Sequence, residues 1–327
     1  MKALVLFSGG LDSMLAIKLL REQQIEVVAI HINIGFNSKK ENITKLSQRA
    51  ELAGASLEII DVRNTYLQEV LFNPRYGYGK HFNPCIDCHG FMFKVAKALL
   101  PHYGASFIAT GEVIGQRPMS QKKDALQLVK RLADDLEDDL IVRPLCAKIM
   151  PESKPEREGW IDREKLLDLN GRGRSRQLEL AKNYGWEDYP SPAGGCLLTD
   201  ASFAIRIKDF VAYDTFDLAY IELLKNGRHF RLHDHAKLVI GRDESENTLL
   251  ESLQDETFSL LQVEDTINAP SALLSSNASE QDIHEACKII LSFTKTVPEK
   301  HYTLFFRDRI FKALAYPSRD EAKKYLL

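Results

Sequence analysis

The sequence predicts an α/β chain: a doubly wound parallel sheet joined to a second, smaller α+β domain. Three observations carry that prediction. A short apolar run, Ala3-Leu4-Val5-Leu6-Phe7, gives way to Ser8-Gly9-Gly10 and then to an amphipathic run from Met14 to Leu20, the order strand, glycine turn, helix. From Met1 to about Tyr189, strand-like and helix-like segments alternate. From about Leu197 the texture changes, with helices and strands each clustered together. The expected division is 1–196 for the first domain and 197–327 for the second.

Residues 2–7 read as the first strand and 12–24 as the first helix. Residues 26–33, EVVAIHIN, form a second strand whose bunched β-branched residues suit a sheet buried on both faces. Residues 38–53 are a polar helix carrying Ile43, Leu46 and Ala50 on one side, and 56–62 a third strand. A helix over 91–100, a fourth strand over 106–110 and a helix over 121–132 follow. Residues 140–142 lead into a fifth strand at Arg143-Pro144-Leu145. Such alternation puts a ligand crevice at the carboxyl ends of the strands. The glycine loop, Asn33 to Phe36 and Thr110-Gly111-Glu112 all fall there. Next come a charged loop over 154–158, a short helix over 162–169, a basic turn over 171–176, a helix over 177–184 and a loop over 190–196. In the second domain 200–226 is mainly helical, and 229–231, 236–241, 257–263 and 271–275 are strand-like. Residues 281–294 form an amphipathic helix, 303–307 and 310–315 a closing hairpin, and 319–325 a last helix.

The 327 residues suffice for two domains. A hydrophobic share of 44% and a charged share of 27% are ordinary for a globular protein, and a net charge of −3 means that any RNA surface has to be a local patch. No apolar run approaches the ~20 residues that span a bilayer, and the apolar start is shorter than the ~7–15-residue core of a secretory signal. No membrane association and a cytoplasmic location are therefore expected. In a reducing compartment the five cysteines are catalytic, metal-binding or buried rather than disulfide-bonded.

A strand–glycine–helix turn aims free backbone N–H groups and the positive end of a helix at one point, which suits phosphate. Gly9 and Gly10 allow close approach, Ser8 and Ser13 add hydroxyls, and Asp12 offers a carboxylate to Mg²⁺. A plain βα turn with Asp12-Ser13 capping the helix fits the same residues. The hexapeptide Ser8-Gly9-Gly10-Leu11-Asp12-Ser13 resembles the pyrophosphate loop of the PP-loop ATP pyrophosphatases, which split ATP between its α- and β-phosphates. The Gly-Lys-Ser/Thr of a Walker loop is absent. The resemblance implies ATP and Mg²⁺ as cofactors, with the β- and γ-phosphates on the loop and the adenine along Ala29, Ile30 and His31 and against Gly111. His31 also reads as a plain strand residue at the crevice rim.

Asn83-Pro84-Cys85-Ile86-Asp87-Cys88-His89 is a second candidate site. A CxxC turn places two thiols on one side of a short loop, and a helix entering just after it favours thiolate. Cys196, beside Gly194 and Gly195, is the natural third member, whereas Cys146 and Cys287 read as small buried hydrophobes. By spacing alone the CxxC is redox-active, zinc-binding, cluster-binding or incidental. His89-Gly90-Phe91-Met92-Phe93, the stretch from Ala109 to Gln116, Ser120-Gln121 and Arg143-Pro144-Leu145 are similar to the PP-loop domain of tRNA 4-thiouridine synthetases. Asn83-Pro84-Cys85 and Cys88 resemble the tRNA 2-thiouridylases. These likenesses cover about residues 1–200. The CxxC with one distant cysteine is similar to the cluster-dependent branch of tRNA thiolases, which implies Cys85, Cys88 and Cys196 as ligands of a [4Fe–4S] cluster. The rival is a catalytic pair, Cys88 and Cys196, in which one carries a persulfide and the other resolves it. A structural zinc needs a fourth ligand, for which His89 is the near candidate.

The resemblance thus implies ATP-dependent thiolation of a tRNA uridine, with Asp12, Cys88 and Cys196 as catalytic residues. Ser120 and Gln121 carry roles by resemblance alone. The chain opens on the loop, without the front-end RNA-binding domains of the 4-thiouridine synthetases, and nothing in it looks like a rhodanese domain. Sulfur is expected from a separate donor such as a cysteine desulfurase, or from free sulfide. Arg172, Arg174 and Arg176 either contact RNA phosphate or form a solvated turn. With Lys225, Arg228, His229, Phe230 and Arg231, then Arg307, Arg309 and Lys312, the distal domain resembles RNA-binding modules that accompany some PP-loop and ribosome-quality-control proteins. A dimerisation or lid role fits it as well, and nothing in the sequence signals an oligomeric state. Two other functions stay open. One is an adenylating ligase or sulfurtransferase acting on a small molecule; the other is a non-catalytic RNA- or nucleotide-binding module, against which the intact loop argues.

Overall fold

In the computed structural model, which describes residues 1–37, 43–190, 195–297 and 299–327, β1 (Lys2–Leu6) runs into the glycine turn and α1 (Leu11–Arg21) leaves it. β2 (Glu26–Asn33) lies parallel to β1, from Lys2 opposite Glu26 to Leu6 opposite Ile30. After α2 (Ile43–Ala53), β3 (Ser56–Asp61) pairs parallel with the far side of β2. The chain then crosses back through α3 (Arg63–Tyr66), one wide helical turn at Leu67–Leu71, and α4 (Cys85–Tyr103). β4 (Phe107–Thr110) adds to the other side of β1, and β5 (Ile141–Val142) follows α5 (Lys123–Leu132) onto β4. The sheet order is β3-β2-β1-β4-β5, all parallel. Growth of the sheet reverses at β1, so the carboxyl ends of β1 and β4 flank the switch point where such sheets take ligands. Ala3, Leu4 and Val5 of β1 and Phe107, Ile108 and Ala109 of β4 are fully buried, as central strands covered on both faces must be.

The structure departs from the sequence reading at several edges. α4 starts at Cys85, not near Phe91, because Pro84 fits the entry to a helix and Asp87 accepts from Arg75 N (2.7 Å) and Tyr76 N (3.0 Å), fixing the first turn. The fifth strand stops at Val142, since Pro144 has no N–H for the ladder and Arg143 turns toward Glu112. The loop expected over 154–158 contains a one-turn α6 (Lys154–Arg157), nucleated by a Ser153/Glu156 capping box. The helix expected over 162–169 is a single tight turn, Arg163–Lys165. α7 (Ser175–Asn183) closes the series. Of the polar helix expected from 38, residues 38–42 lie outside the described residues, as do residues 191–194 of the loop before Cys196.

The chain divides into two compact units, Met1–Thr199 and Asp200–Leu327. The boundary expected at 196/197 falls slightly early, because Leu197 N donates to Phe36 O (2.8 Å) and Phe82 N to Leu198 O (3.2 Å), which holds this turn in the first unit. The second unit begins with α8 (Ala201–Tyr213) and α9 (Tyr220–Lys225). Its sheet has the order β11-β10-β8-β9-β7-β6 and is antiparallel throughout. The strands are β6 (Arg228–Arg231), β7 (Lys237–Ile240), β8 (Phe258–Val263), β9 (Ala272–Ser275), β10 (Tyr302–Phe306) and β11 (Arg309–Ala313). Between β7 and β8 lies α10 (Glu244–Ser252), unforeseen from sequence and capped by Asp243, whose carboxylate accepts from Glu246 N. α11 (Glu280–Ser292) supplies Ile283, Ala286, Cys287 and Ile290 to the core, and α12 (Arg319–Ala322) follows the hairpin. Among the described residues no helix is long and apolar enough to cross a membrane.

Candidate active site

Gly9 sits at φ +70°, and a Cβ there would lie 2.4 Å from Leu46 Cδ2, so only glycine fits. Gly10 caps α1 with an extended backbone and no side-chain cap. Part of the loop is satisfied internally: Gly10 N donates to Ser8 Oγ (3.4 Å), and Ser13 N (3.1 Å) and Ser13 Oγ (2.8 Å) both donate to Gly10 O. The Ser13 hydroxyl, expected to face phosphate, is thus engaged within the turn. Among the described residues the N–H groups of Leu11 and Asp12 have no acceptor, and they stand at the positive end of α1. Asp12 accepts from Gln116 Nε2 (2.7 Å) and Arg174 Nη2 (3.2 Å). Gln177 in turn donates to Gln116 Oε1 at 3.3 Å. A second guanidinium, Arg49, reaches Gly9 O (3.5 Å) and pairs with Asp188 (2.9 Å), holding that carboxyl below the usual carboxylate range. Sequence reasoning missed Arg49, gave Gln116 no role beyond its place in the stretch from Ala109, and left Arg174 between an RNA contact and a solvated turn; the fold turns Arg174 inward onto Asp12.

The expected adenine contacts are placed differently from one another. Ala29 and Ile30 are fully buried between neighbouring strands, so neither side chain is open to a ligand. His31 is buried and its Nδ1 lies 2.9 Å from Phe7 O, which ties β2 to the end of β1. Gly111 has another function. A Cβ there would lie 2.4 Å from the carbonyl carbon of Asp12 and 2.5 Å from Ser13 N, so this glycine lets the end of β4 press against the loop. The space that its missing side chain leaves is filled by protein.

The next residue, Glu112, is buried and sits between His89 and Arg143. His89 Nδ1 lies 2.7 Å from one oxygen, and Arg143 Nε donates to the other at 3.0 Å. Burial works against its charge, but Arg143 and His89 outweigh it and hold the carboxyl below its ordinary range. Arg143 also lies over the Phe93 ring at 5.8 Å, and its Nη2 is buried with no partner among the described residues. His89 follows Cys88 in α4 and Glu112 follows Gly111, so this pair links the cysteine helix to the loop.

Cys85 and Cys88 stand in the first turn of α4, with Asn83 Nδ2 donating to Cys85 Sγ at 3.2 Å. Cys196 arrives from the far end of the unit. It pairs with Asn37 across a β-bridge, just beyond β2, while Leu198 accepts from Phe82 ahead of the CxxC. All three cysteines lie near enough to Tyr66 to act on its phenol. Its hydroxyl is wholly buried with no partner of normal hydrogen-bond geometry among the described residues, and its phenol is pushed well above its usual pKa by burial, then by Cys88, Cys196 and Cys85. Burial, then the charge of Cys196, raises the Cys88 thiol, and burial with help from Cys85 takes Cys196 to about 11. The depressed thiol pKa expected at a helix N-terminus is not what the fold produces: burial and mutual repulsion exceed the helix field. Cys146 and Cys287 are buried, the former with its thiol on Glu112 O at 3.5 Å. Among the described residues no three His, Cys, Asp or Glu side chains are placed to hold one metal ion.

Both units are similar to known proteins. Residues 2–77 match the family model described as Arginosuccinate synthase N-terminal HUP domain, a span that contains the glycine loop. Residues 227–312 match the model described as NFACT protein RNA binding domain. The chain is 28% identical over 157 residues to a tRNA-specific 2-thiouridylase of Petrotoga mobilis, covering 42% of this chain and 41% of that one. It is 28% identical over 170 residues to a probable tRNA sulfurtransferase of Thermococcus kodakarensis, covering 51% and 39%. A solved 4-thiouridine synthetase–RNA complex with bound ATP aligns with 68% of this chain and 52% of that one, at 18% identity and a TM-score of 0.43. The chain spans less than half the length of these two curated relatives. The first unit therefore resembles a PP-loop ATP pyrophosphatase-type domain, and part of the second resembles an RNA-binding one.

Proposed function

We propose that this protein is an ATP-dependent tRNA sulfurtransferase, the first unit activating a uridine carbonyl and replacing its oxygen with sulfur, the second binding RNA. The observation that carries the reading is the gathering of Cys85, Cys88 and Cys196 around Tyr66, joined through His89 and Glu112 to the loop that holds Asp12. A uridine C=O is a poor electrophile and oxide a poor leaving group. Attack of that oxygen on the α-phosphate of ATP releases pyrophosphate, and sulfur attack on the activated carbon then expels AMP. The free N–H groups of Leu11 and Asp12, with Arg49 and Arg174, would take the charge of the departing pyrophosphate. Mg²⁺ bound by Asp12 would supply further neutralisation there, in exchange for Arg174.

A [4Fe–4S] cluster on Cys85, Cys88 and Cys196 would supply an open iron for incoming sulfide. The coupling of Cys88 to Cys196, its foremost charged neighbour, supports a second reading. In that reading one cysteine carries a persulfide and the other attacks its inner sulfur, releasing the thiolated base and leaving a disulfide that an external dithiol must reduce. Free sulfide would suffice for the cluster route, whereas the persulfide route would need sulfur already at the persulfide level, handed over from a cysteine desulfurase in exchange for its thiol. Work on tRNA would place the protein in the cytoplasm.

Pyrophosphate release from ATP, measured with and without tRNA, tests the assignment. Release that requires tRNA, with thionucleoside found by mass spectrometry, supports it; release with a small acceptor and no tRNA replaces it with a small-molecule ligase. Iron and sulfide analysis after anaerobic purification separates the sulfur routes, since iron-free protein that still makes thionucleoside rejects the cluster.

A further inference from the structure

In the second unit, Phe293 at the end of α11 holds two guanidiniums against its ring. Arg228 Cζ lies 5.0 Å and Arg319 Cζ 5.5 Å from its centroid. Both are fixed by neutral acceptors: Arg228 Nη1 donates to Gly241 O (3.0 Å) and Arg319 Nε to Ser292 O (2.9 Å). Among the described residues neither has a carboxylate partner, and nor does the exposed Lys295. Arg242 stands close by, bound to Glu246. Burial, then Arg242 and more weakly Arg319, push Arg228 below the usual arginine range, with Glu246 opposing them. Elsewhere in this unit, the more deeply buried Arg231 and Lys237 are matched by Asp209 and Asp214. The set around Phe293 is left positive.

A cavity of about 410 Å³ opens beside it, lined by Arg242, Asn247, Asn268, Pro270, Phe293 and Lys295 among others. That volume admits a nucleotide-sized ligand. Its wall combines the Phe293 ring, an exposed amide at Asn268, Lys295 and the Glu246-bound Arg242, and Arg228 and Arg319 lie against the same ring. Splayed nucleotides are held by this chemistry, phosphate on guanidinium and base on a flat face with an amide at its edge. We propose that this pocket binds single-stranded RNA, with a backbone phosphate on Arg228, Arg319 and Lys295 and the attached base in the cavity beside Phe293. The assignment rests on the RNA-directed reading above and deepens it by naming where the second unit holds the nucleic acid.

The test is fluorescence anisotropy with the full chain and a labelled oligouridylate of about 10 nucleotides. The double variant R228A/R319A is expected to bind at least ~10-fold more weakly and to lower the salt slope by about one to two. K295E changes an exposed side chain outside the core and should weaken binding several-fold, so a misfolded double variant does not decide the matter. Wild-type affinity in K295E and in a folded R228A/R319A overturns the pocket. Displacement of the RNA by inorganic phosphate at equal phosphate concentration reduces the site to a simple anion site and also overturns it. Pyrophosphate release, run on the same preparations, separates the two failures. RNA binding that depends on these residues in a protein without tRNA-dependent release sinks the thiolation reading alone. Tight RNA binding indifferent to them, with that release intact, sinks the pocket alone.

Discussion

In the first unit one set of charged side chains meets at the carboxyl ends of β1 and β4, where Asp12 pairs with Arg174 and Glu112 with Arg143 beside His89. In the second, one set meets between α8 and the strands β6 and β7, where Arg231 and Lys237 share Asp209. The difference follows from topology. A parallel βα sheet delivers successive strand ends and helix starts to one edge, so charged side chains meet at a rim that a ligand can reach. In an antiparallel sheet, side chains leave the strand face and meet the helix packed on it. There, Lys237 has no exposed surface, and burial lowers its pKa to about 8 although Asp209 opposes the shift. Such a cluster joins helix to sheet and is closed to substrate, whereas Asp12 and Arg174 at the rim keep part of their surface exposed and only Glu112 and Arg143 are buried there.

The comparison is open to test. The largest effect is expected from Asp209→Ala, which removes the shared carboxylate and leaves Lys237 buried beside Arg231. Breaking a buried pair of this kind costs about 3–5 kcal/mol. Both tryptophans, Trp160 and Trp186, lie in the first unit, so tryptophan fluorescence follows that unit while circular dichroism follows both. The urea transition should move in circular dichroism and stay in place by tryptophan; equal movement in both would show that the units unfold as one. Asp12→Asn reverses the pattern. It should slow tRNA-dependent pyrophosphate release by about 100- to 1,000-fold, the usual range for losing a charge-stabilising group, and change stability by only about 1 kcal/mol. A large stability loss would mean that the Asp12–Arg174 pair is structural.

Gly111→Ala is next in size. Its Cβ would collide with the Asp12 carbonyl carbon at 2.4 Å, and overpacking of this kind costs about 1–3 kcal/mol. ATP affinity should fall with stability, since the displaced atoms belong to the loop; unchanged affinity would separate the packing from the site. The smallest effect concerns pH. Arg143 and His89 hold the buried Glu112 carboxyl below its unfolded value in spite of burial. The pair therefore stabilises the first unit above the ordinary glutamate pKa of about 4.3, and that contribution is lost as pH falls through the lower folded value. Tryptophan-monitored stability should drop over this acid range, and Glu112→Gln should flatten the drop. A profile unchanged by the substitution would assign the acid sensitivity to other carboxylates.

Much of the fold was legible in the chain. The Ser8–Ser13 loop announces itself through adjacent residues, and β2 and the final hairpin through short-range hydrophobic pattern. α10 was missed because Glu244–Ser252 is mostly polar and carries little apolar periodicity. The cysteine trio could be proposed from residue type. The direction of its thiol pKa could not, because burial and the approach of Cys196 to Cys88 arise only in the folded chain. Arg174 read as either an RNA contact or part of a solvated turn because it lies in a basic, glycine-punctuated stretch. That it bonds Asp12, from far along the chain, depends on α7 packing beside α1.

The sequence by itself determined the local devices: the glycine turn, the alternation of strand and helix, the CxxC at a helix entry, and a change of architecture near residue 200. Each is written in residues within a few positions of one another, where backbone geometry and hydrophobic period act directly. Tertiary structure alone decided the partnerships: Asp12 with Arg174 and Gln116, Glu112 between His89 and Arg143, Cys196 beside the CxxC, and Phe293 between two arginines. Those depend on strand order and on which groups are removed from water together, and neither is encoded at short range.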